Sequence, residues 1–213
     1  MYCERTGKFV MWMHLDNPTR TYAGAGVAVS DTPQGPFSFL HAKKPNRLDS
    51  RDMTLFQDTD GKVYLVHSAN YNRTLYISEL TDDYCDVTGL TFPVLEDQMR
   101  EAPALMKRDE KYYMITSGCT GWEPNSALYA ESEYLFNSWR LIDNPCEGPN
   151  YRQTFFGQST YIFYVNGQPY LMLDHWVPHN LQGSGYSILP VTSEKGLLTV
   201  KWKDEFYGIK SRQ

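Results

Sequence analysis

The chain has 213 residues, a formal net charge of −5, 41% hydrophobic and 21% charged residues. Such a composition fits one folded domain and excludes a disordered or collagen-like chain. An acidic chain without Lys/Arg clusters lacks the footprint that phosphate backbones require, and no apolar run nears the roughly 20 residues that span a bilayer, so neither nucleic acid nor membrane is an expected partner.

Aromatic residues make up 15% of the chain, with 16 Tyr, 10 Phe and 5 Trp. Aromatic and β-branched side chains suit pleated, half-buried surfaces, and Ala-rich helical stretches are missing, so an all-β fold is predicted. Four segments repeat one grammar of a polar or Gly turn followed by an aromatic-rich strand: Gly7–Trp12, Gly61–Val66, Glu110–Ile115 and Gly167–Met172. They start about 50 residues apart, a period that signals a repeat architecture. Further strands are predicted at Gly26–Ser30 with Phe37–Phe39, at Leu75–Ser78, at Ala127–Ala130 with Trp139–Leu141, and at Tyr186–Leu189 with Val200–Trp202. Four short strands per repeat describe the blades of a β-propeller. Turn chemistry fills the connections, as in Asp31–Pro36 and Asp143–Pro145, and no linker divides the chain, so 1–213 is read as a single domain. Asp58-Thr59-Asp60-Gly61 has the glycine too early and Ala69 where a calcium loop needs Glu, so it is read as a hairpin turn.

Carboxylates at strand starts are the first candidates for chemistry. Asp52, in Ser50-Arg51-Asp52, and Glu101, in Arg100-Glu101-Ala102-Pro103, stand one repeat apart and are expected to face the same mouth of the propeller. Two such carboxylates can keep one protonated as a general acid, although each is equally suited to a structural pair with Arg51 or Arg100. Gln158, in Gly157-Gln158-Ser159-Thr160, occupies the corresponding place in the last repeat, where an amide binds ligand or completes a core hydrogen bond. Trp122 and Trp176 lie near Gly- and Pro-bearing loops, where an indole ring can serve either the core or as a platform for the C–H face of a sugar. The five histidines show no zinc-ligand spacing, and there is no GxSxG elbow or phosphate loop, so no metal and no cofactor are expected. The four cysteines form no CxxC pair, leaving disulfides open.

The ordered set Gly7–His14, Val27–Phe37, Ser50-Arg51-Asp52, Asp58–Lys62, Arg100–Pro103, Thr116–Trp122 and Gly157–Thr160 resembles glycoside hydrolase family 43. Within that family it is most similar to the exo-β-1,3-galactanase branch. The resemblance implies a five-bladed β-propeller of which this chain holds about four blades. It lacks a first blade and an E-R-P-K-like stretch ahead of Tyr2, so an N-terminally truncated chain is expected. It further implies an inverting hydrolase that releases galactose from β-1,3-galactan, with Glu101 as general acid, Asp52 tuning its pKa and orientation, and Gln158 in a base-like role. Tyr22, Asn72, Cys119, Thr120 and Trp122 fall where the branch contacts galactose, so the Asn72-Arg73-Thr74 sequon is expected to face ligand rather than carry a glycan. A monomer acting outside the cell is implied, though Met1–Arg5 does not have the character of a signal peptide. Two rivals share these features: a non-catalytic galactan-binding propeller, and an arabinofuranosidase or xylosidase of the same family.

Overall fold

Each Gly-turn segment becomes the second strand of an antiparallel sheet in the computed structural model, which describes residues 1–194 and 196–204. The first sheet joins β1 (Tyr2–Cys3), β2 (Lys8–Leu15), β3 (Gly24–Ser30) and β4 (Ser38–Lys43) in chain order. The second joins β5 (Met53–Gln57), β6 (Val63–Ala69), β7 (Thr74–Leu80) and β8 (Val87–Val94), and the third joins β9 (Arg100–Arg108), β10 (Lys111–Gly118), β11 (Leu128–Ser132) and β12 (Arg140–Leu141). These are the blades that the repeat predicts. The β5–β6 connection is the hairpin turn expected at Asp58–Gly61: the Asp58 amide donates to the Lys62 carbonyl at 2.9 Å, and Gly61 sits at φ +86°.

The last sheet departs from the four-strand pattern. It comprises β14 (Gln158–Val165), β15 (Gln168–His175), β16 (Gly185–Glu194) and β17 (Leu197–Lys201), and gains β13 (Cys146–Glu147), which pairs in parallel with β17 through Cys146 and Val200. Earlier chain thus covers an edge that would otherwise expose unpaired backbone. Strand β8 also escapes the sequence pattern. It is an edge strand with Gly89 and Pro93 and little alternation, which are features of an unpartnered sheet border.

The chain divides into two compact units, one of residues 1–101 with 135–137, the other of 102–134 with 138 onward. Unit one is built on Cys3, Val10, Trp12, Val27, Val63 and Leu65, and every residue of β6 is buried. Such a continuous run belongs to a strand packed on both faces; on one side Phe136 meets Tyr64 and Phe92, with ring centroids 5.5 and 4.6 Å away. Unit two packs Met106, Ile115, Tyr129, Phe155, Leu171, Leu173 and Val191 into its own core. No disulfide joins the four cysteines, and burial pushes the Cys146 thiol up to about 12.

Candidate functional site

The three carboxylate and amide candidates occupy matching places in three blades. Asp52 directly precedes β5, Glu101 is the second residue of β9, and Gln158 opens β14. Around each, the backbone adopts left-handed geometry that non-glycine residues rarely take. Asn70, Tyr71 and Asn72 lie at φ 51°, 56° and 61°, Ala102 at 50°, and Thr154, Phe155 and Phe156 at 49°, 57° and 63°. Such conformations cost of the order of 1 kcal/mol each and persist where the surroundings over-determine them.

In unit one the residues around Glu101 form a directed chain of hydrogen bonds. Asn72 Nδ2 donates to Glu101 Oε2 at 2.7 Å, while Asn72 Oδ1 accepts from the Ser68 hydroxyl at 3.0 Å. Ser68 is fully buried on β6, and its backbone N–H donates to the Asp52 carbonyl at 2.9 Å. One serine therefore ties the strand start that bears Asp52 to the amide that contacts Glu101. Asn72 Nδ2 is thus directed at Glu101. The left-handed 70–72 turn is held by Asp49, whose carboxylate accepts the Asn70 N–H at 2.8 Å and the Tyr71 N–H at 3.4 Å.

Tyr22 stands at the end of a loop organised by Asp16. The Asp16 Oδ1 accepts the backbone N–H groups of Asn17, Tyr22 and Ala23 at 2.9, 3.0 and 3.0 Å. These bonds, that from Ala23 foremost, hold the Asp16 carboxyl below its usual range. The Tyr22 ring then lies over Gly24, where an added Cβ would come within 2.3 Å of Tyr22 Cε1. Only glycine leaves room for that ring position.

Unit two presents a different surface. Trp122 and Trp176 are 57% and 45% exposed and meet edge to face, with centroids 5.6 Å apart and planes at 71°. A core role would have hidden both rings. The loop before Trp122 is tied by Asn125, which accepts from the Gly118 N–H at 2.7 Å and donates to the Gly118 carbonyl at 2.9 Å and to Thr120 Oγ1 at 2.7 Å. Thr120 in turn donates to the Glu123 carbonyl at 2.6 Å. Cys119, beside it, is a half-buried thiol. Gln158 Nε2 donates to the buried Ser117 hydroxyl at 2.8 Å, and the residue is paired with Asp174 across the β14–β15 ladder. Gly157 permits this approach, since a Cβ there would lie 3.1 Å from both His175 Cε1 and Leu173 Cβ. The Gly183-Ser184-Gly185 stretch closes a turn in which Ser184 accepts the Val177 N–H at 3.0 Å.

Sequence reasoning did not single out Asp16, Ser68, Ser117 or Asn125. Each acts on a neighbour rather than on a ligand. A short polar residue two to seven positions from a candidate is a signal too common to isolate them.

A search of curated proteins gave no match. Among solved structures, a GH43 β-1,3-galactosidase with galactodeoxynojirimycin is 37% identical, with a TM-score of 0.92, covering 97% of this chain and 74% of that one. An exo-β-1,3-galactanase from Clostridium thermocellum is 37% identical at a TM-score of 0.86, over 94% of this chain and 47% of its own. The Phanerochaete chrysosporium exo-β-1,3-galactanase with β-1,3-galactotriose is 27% identical at a TM-score of 0.86, over 94% and 46%. The chain thus spans about three quarters of the first structure and less than half of the other two. The profile of the glycosyl hydrolases family 43 matches residues 2–207, and with the blades, the strand-start acids and these structures it shows that the chain belongs to glycoside hydrolase family 43.

Proposed function

We propose that this chain is an inverting exo-β-1,3-galactosidase that removes galactose from the non-reducing end of β-1,3-galactan. The observation that carries the reading is the Ser68–Asn72–Glu101 chain of hydrogen bonds at a strand start, in a fold matched by galactan-cleaving enzymes. Glu101 is the general acid. It protonates the glycosidic oxygen as the bond to the anomeric carbon breaks, and water attacks from the opposite face. Asp52 tunes that acid. Gln158, whose Nε2 donates to the Ser117 hydroxyl, takes the base-like role toward that water, whose proton passes on to solvent.

The Asn72 amide has a defined part in this scheme. An N–H donated to a carboxyl group favours its ionised form, so Asn72 keeps Glu101 acidic enough to give up its proton. Tyr22, Cys119 and Thr120 are assigned to sugar contacts, and Trp122 with Trp176 to an aromatic platform. A polymeric substrate supports action outside the cell.

The test is product analysis on β-1,3-galacto-oligosaccharides beside calorimetry. Galactose as the sole first product supports the assignment. Tight binding without product supports the non-catalytic rival, and release of arabinose or xylose from their aryl glycosides supports the other branch of the family.

A further inference from the structure

A cleft of about 480 Å³ lies within unit one, and its lining differs in kind from the rest of this acidic chain. Arg20, Lys44, Arg47 and Arg51 face it, with Asp49 as the one lining carboxylate among the described residues. Asp49 is largely engaged elsewhere. It accepts the Asn70 and Tyr71 N–H groups and stands 3.8 Å from Arg51 Nε. Arg20, Lys44 and Arg47 make no ion pair among the described residues, and Arg51 Nε is buried without a hydrogen-bond partner there. Four cations against one occupied carboxylate leave a local excess of positive charge in a chain of net charge −5. Arginine forks of this kind match carboxylates, and low-dielectric walls concentrate their field.

Two aromatic rings accompany the cations. Tyr71 is 76% exposed with the Arg51 guanidinium 5.7 Å from its centroid, and the Tyr22 ring has Lys44 Nζ at 5.8 Å. A bare inorganic anion has no use for exposed rings, whereas a sugar ring stacks on them. The cleft also adjoins the candidate site along the chain. Tyr22 lies between lining residues Thr21 and Ala23, Asp52 follows Arg51, and Asn72 follows Tyr71.

We infer that this cleft binds a sugar bearing a carboxylate, a uronic acid attached to the galactan next to the residue being released. Its carboxylate pairs with the Arg20–Arg47–Arg51 side and its ring rests on Tyr71. The inference rests on the galactosidase reading for its location, though not for its charge preference. The enzyme is then selective for acidic galactans over neutral ones.

The experiment uses a β-1,3-galacto-oligosaccharide carrying one uronic acid and the same compound with its carboxyl group reduced to the neutral sugar. Calorimetry in the Glu101→Gln background and kcat/KM in the unmodified chain are read for both. About tenfold preference for the acidic compound is expected at low salt, as for one charge-assisted contact, shrinking at 0.5 M NaCl. Arg47→Gln and Arg20→Gln each abolish most of that preference and leave kcat/KM on the neutral compound unchanged, which also verifies folding. Equal affinity for the two compounds overturns the inference, as does a preference that survives both substitutions. Inorganic sulfate that binds as tightly as the acidic sugar reduces the cleft to an ion site and overturns it too. Turnover of both compounds without preference leaves the galactosidase reading intact and removes the cleft. Preferential binding without turnover of either does the reverse.

Discussion

The two units carry different kinds of candidate side chain. Unit one gathers acids and a hydrogen-bond relay, Ser68 to Asn72 to Glu101, with Asp52 at the neighbouring strand start. Unit two gathers rings and neutral amides, with Trp122 against Trp176 and Gln158 held by Ser117. Both use a run of three left-handed residues to deliver their polar group, at 70–72 for Asn72 and at 154–156 ahead of Gln158. Under the proposed reading, the difference teaches that proton transfer and sugar stacking make separate demands. An acid needs a fixed partner for its own oxygen, whereas a platform needs exposed apolar faces and no partner at all.

The largest expected break falls on unit one. Glu101→Gln removes the transferable proton and lowers kcat on galacto-oligosaccharides by about 10²–10⁴-fold. The loss is much smaller on an aryl galactoside whose leaving group departs without protonation. Equal losses on both substrates would mean that Glu101 is not the acid. Next comes the relay. Ser68→Ala frees the Asn72 amide to turn its oxygen toward Glu101, which favours the protonated form. The basic limb of the pH–rate profile should move upward and kcat fall by about tenfold, for a loss near 1.4 kcal/mol. An unmoved limb would reduce Ser68 to a packing residue.

On unit two the effects should be smaller and should fall on affinity. Trp122→Ala raises KM by about five- to tenfold with little change in kcat, since an aromatic contact contributes roughly 1 kcal/mol. A fall in kcat alone would place the ring in the transition state rather than under the sugar.

The smallest break concerns stability. His67 is fully buried on β6, stacked on Tyr76 with centroids 6.1 Å apart, and burial lowers its pKa to about 4, opposed by the charge of nearby Asp49. Since the unfolded chain binds the proton at the ordinary value of 6.5, stability should fall as pH drops from 6.5 toward 4, by about 3 kcal/mol at most. His67→Phe removes that acid sensitivity and, because neither ring nitrogen makes a well-formed hydrogen bond among the described residues, leaves stability at pH 7 equal or up to about 1 kcal/mol higher. Thermal melts at pH 5 and 7 measure both effects.

Much of the fold was legible because blades are local hairpins and their turns carry Gly, Asp and Asn at fixed places. The strands that escaped lie at borders: β8 with its Gly89 and Pro93, and β13, two residues that matter only through a distant parallel partner. The strand-start positions of Asp52, Glu101 and Gln158 were equally legible, since one period maps one onto the next. The supports were not. Asp16 acts by accepting three backbone N–H groups and Asn125 by pinning a loop, and such roles leave no period. The basic cleft was hidden for a related reason, since its cations come from 20, 44, 47 and 51 and only folding brings them together.

The central claim is that this chain cleaves a β-galactoside with inversion. Its most direct test is proton NMR of the anomer released in the first minutes from β-1,3-galactotriose, before mutarotation. α-Galactose is expected as the initial product, absent in Glu101→Gln. β-Galactose as the first product, or no release at all, would contradict it.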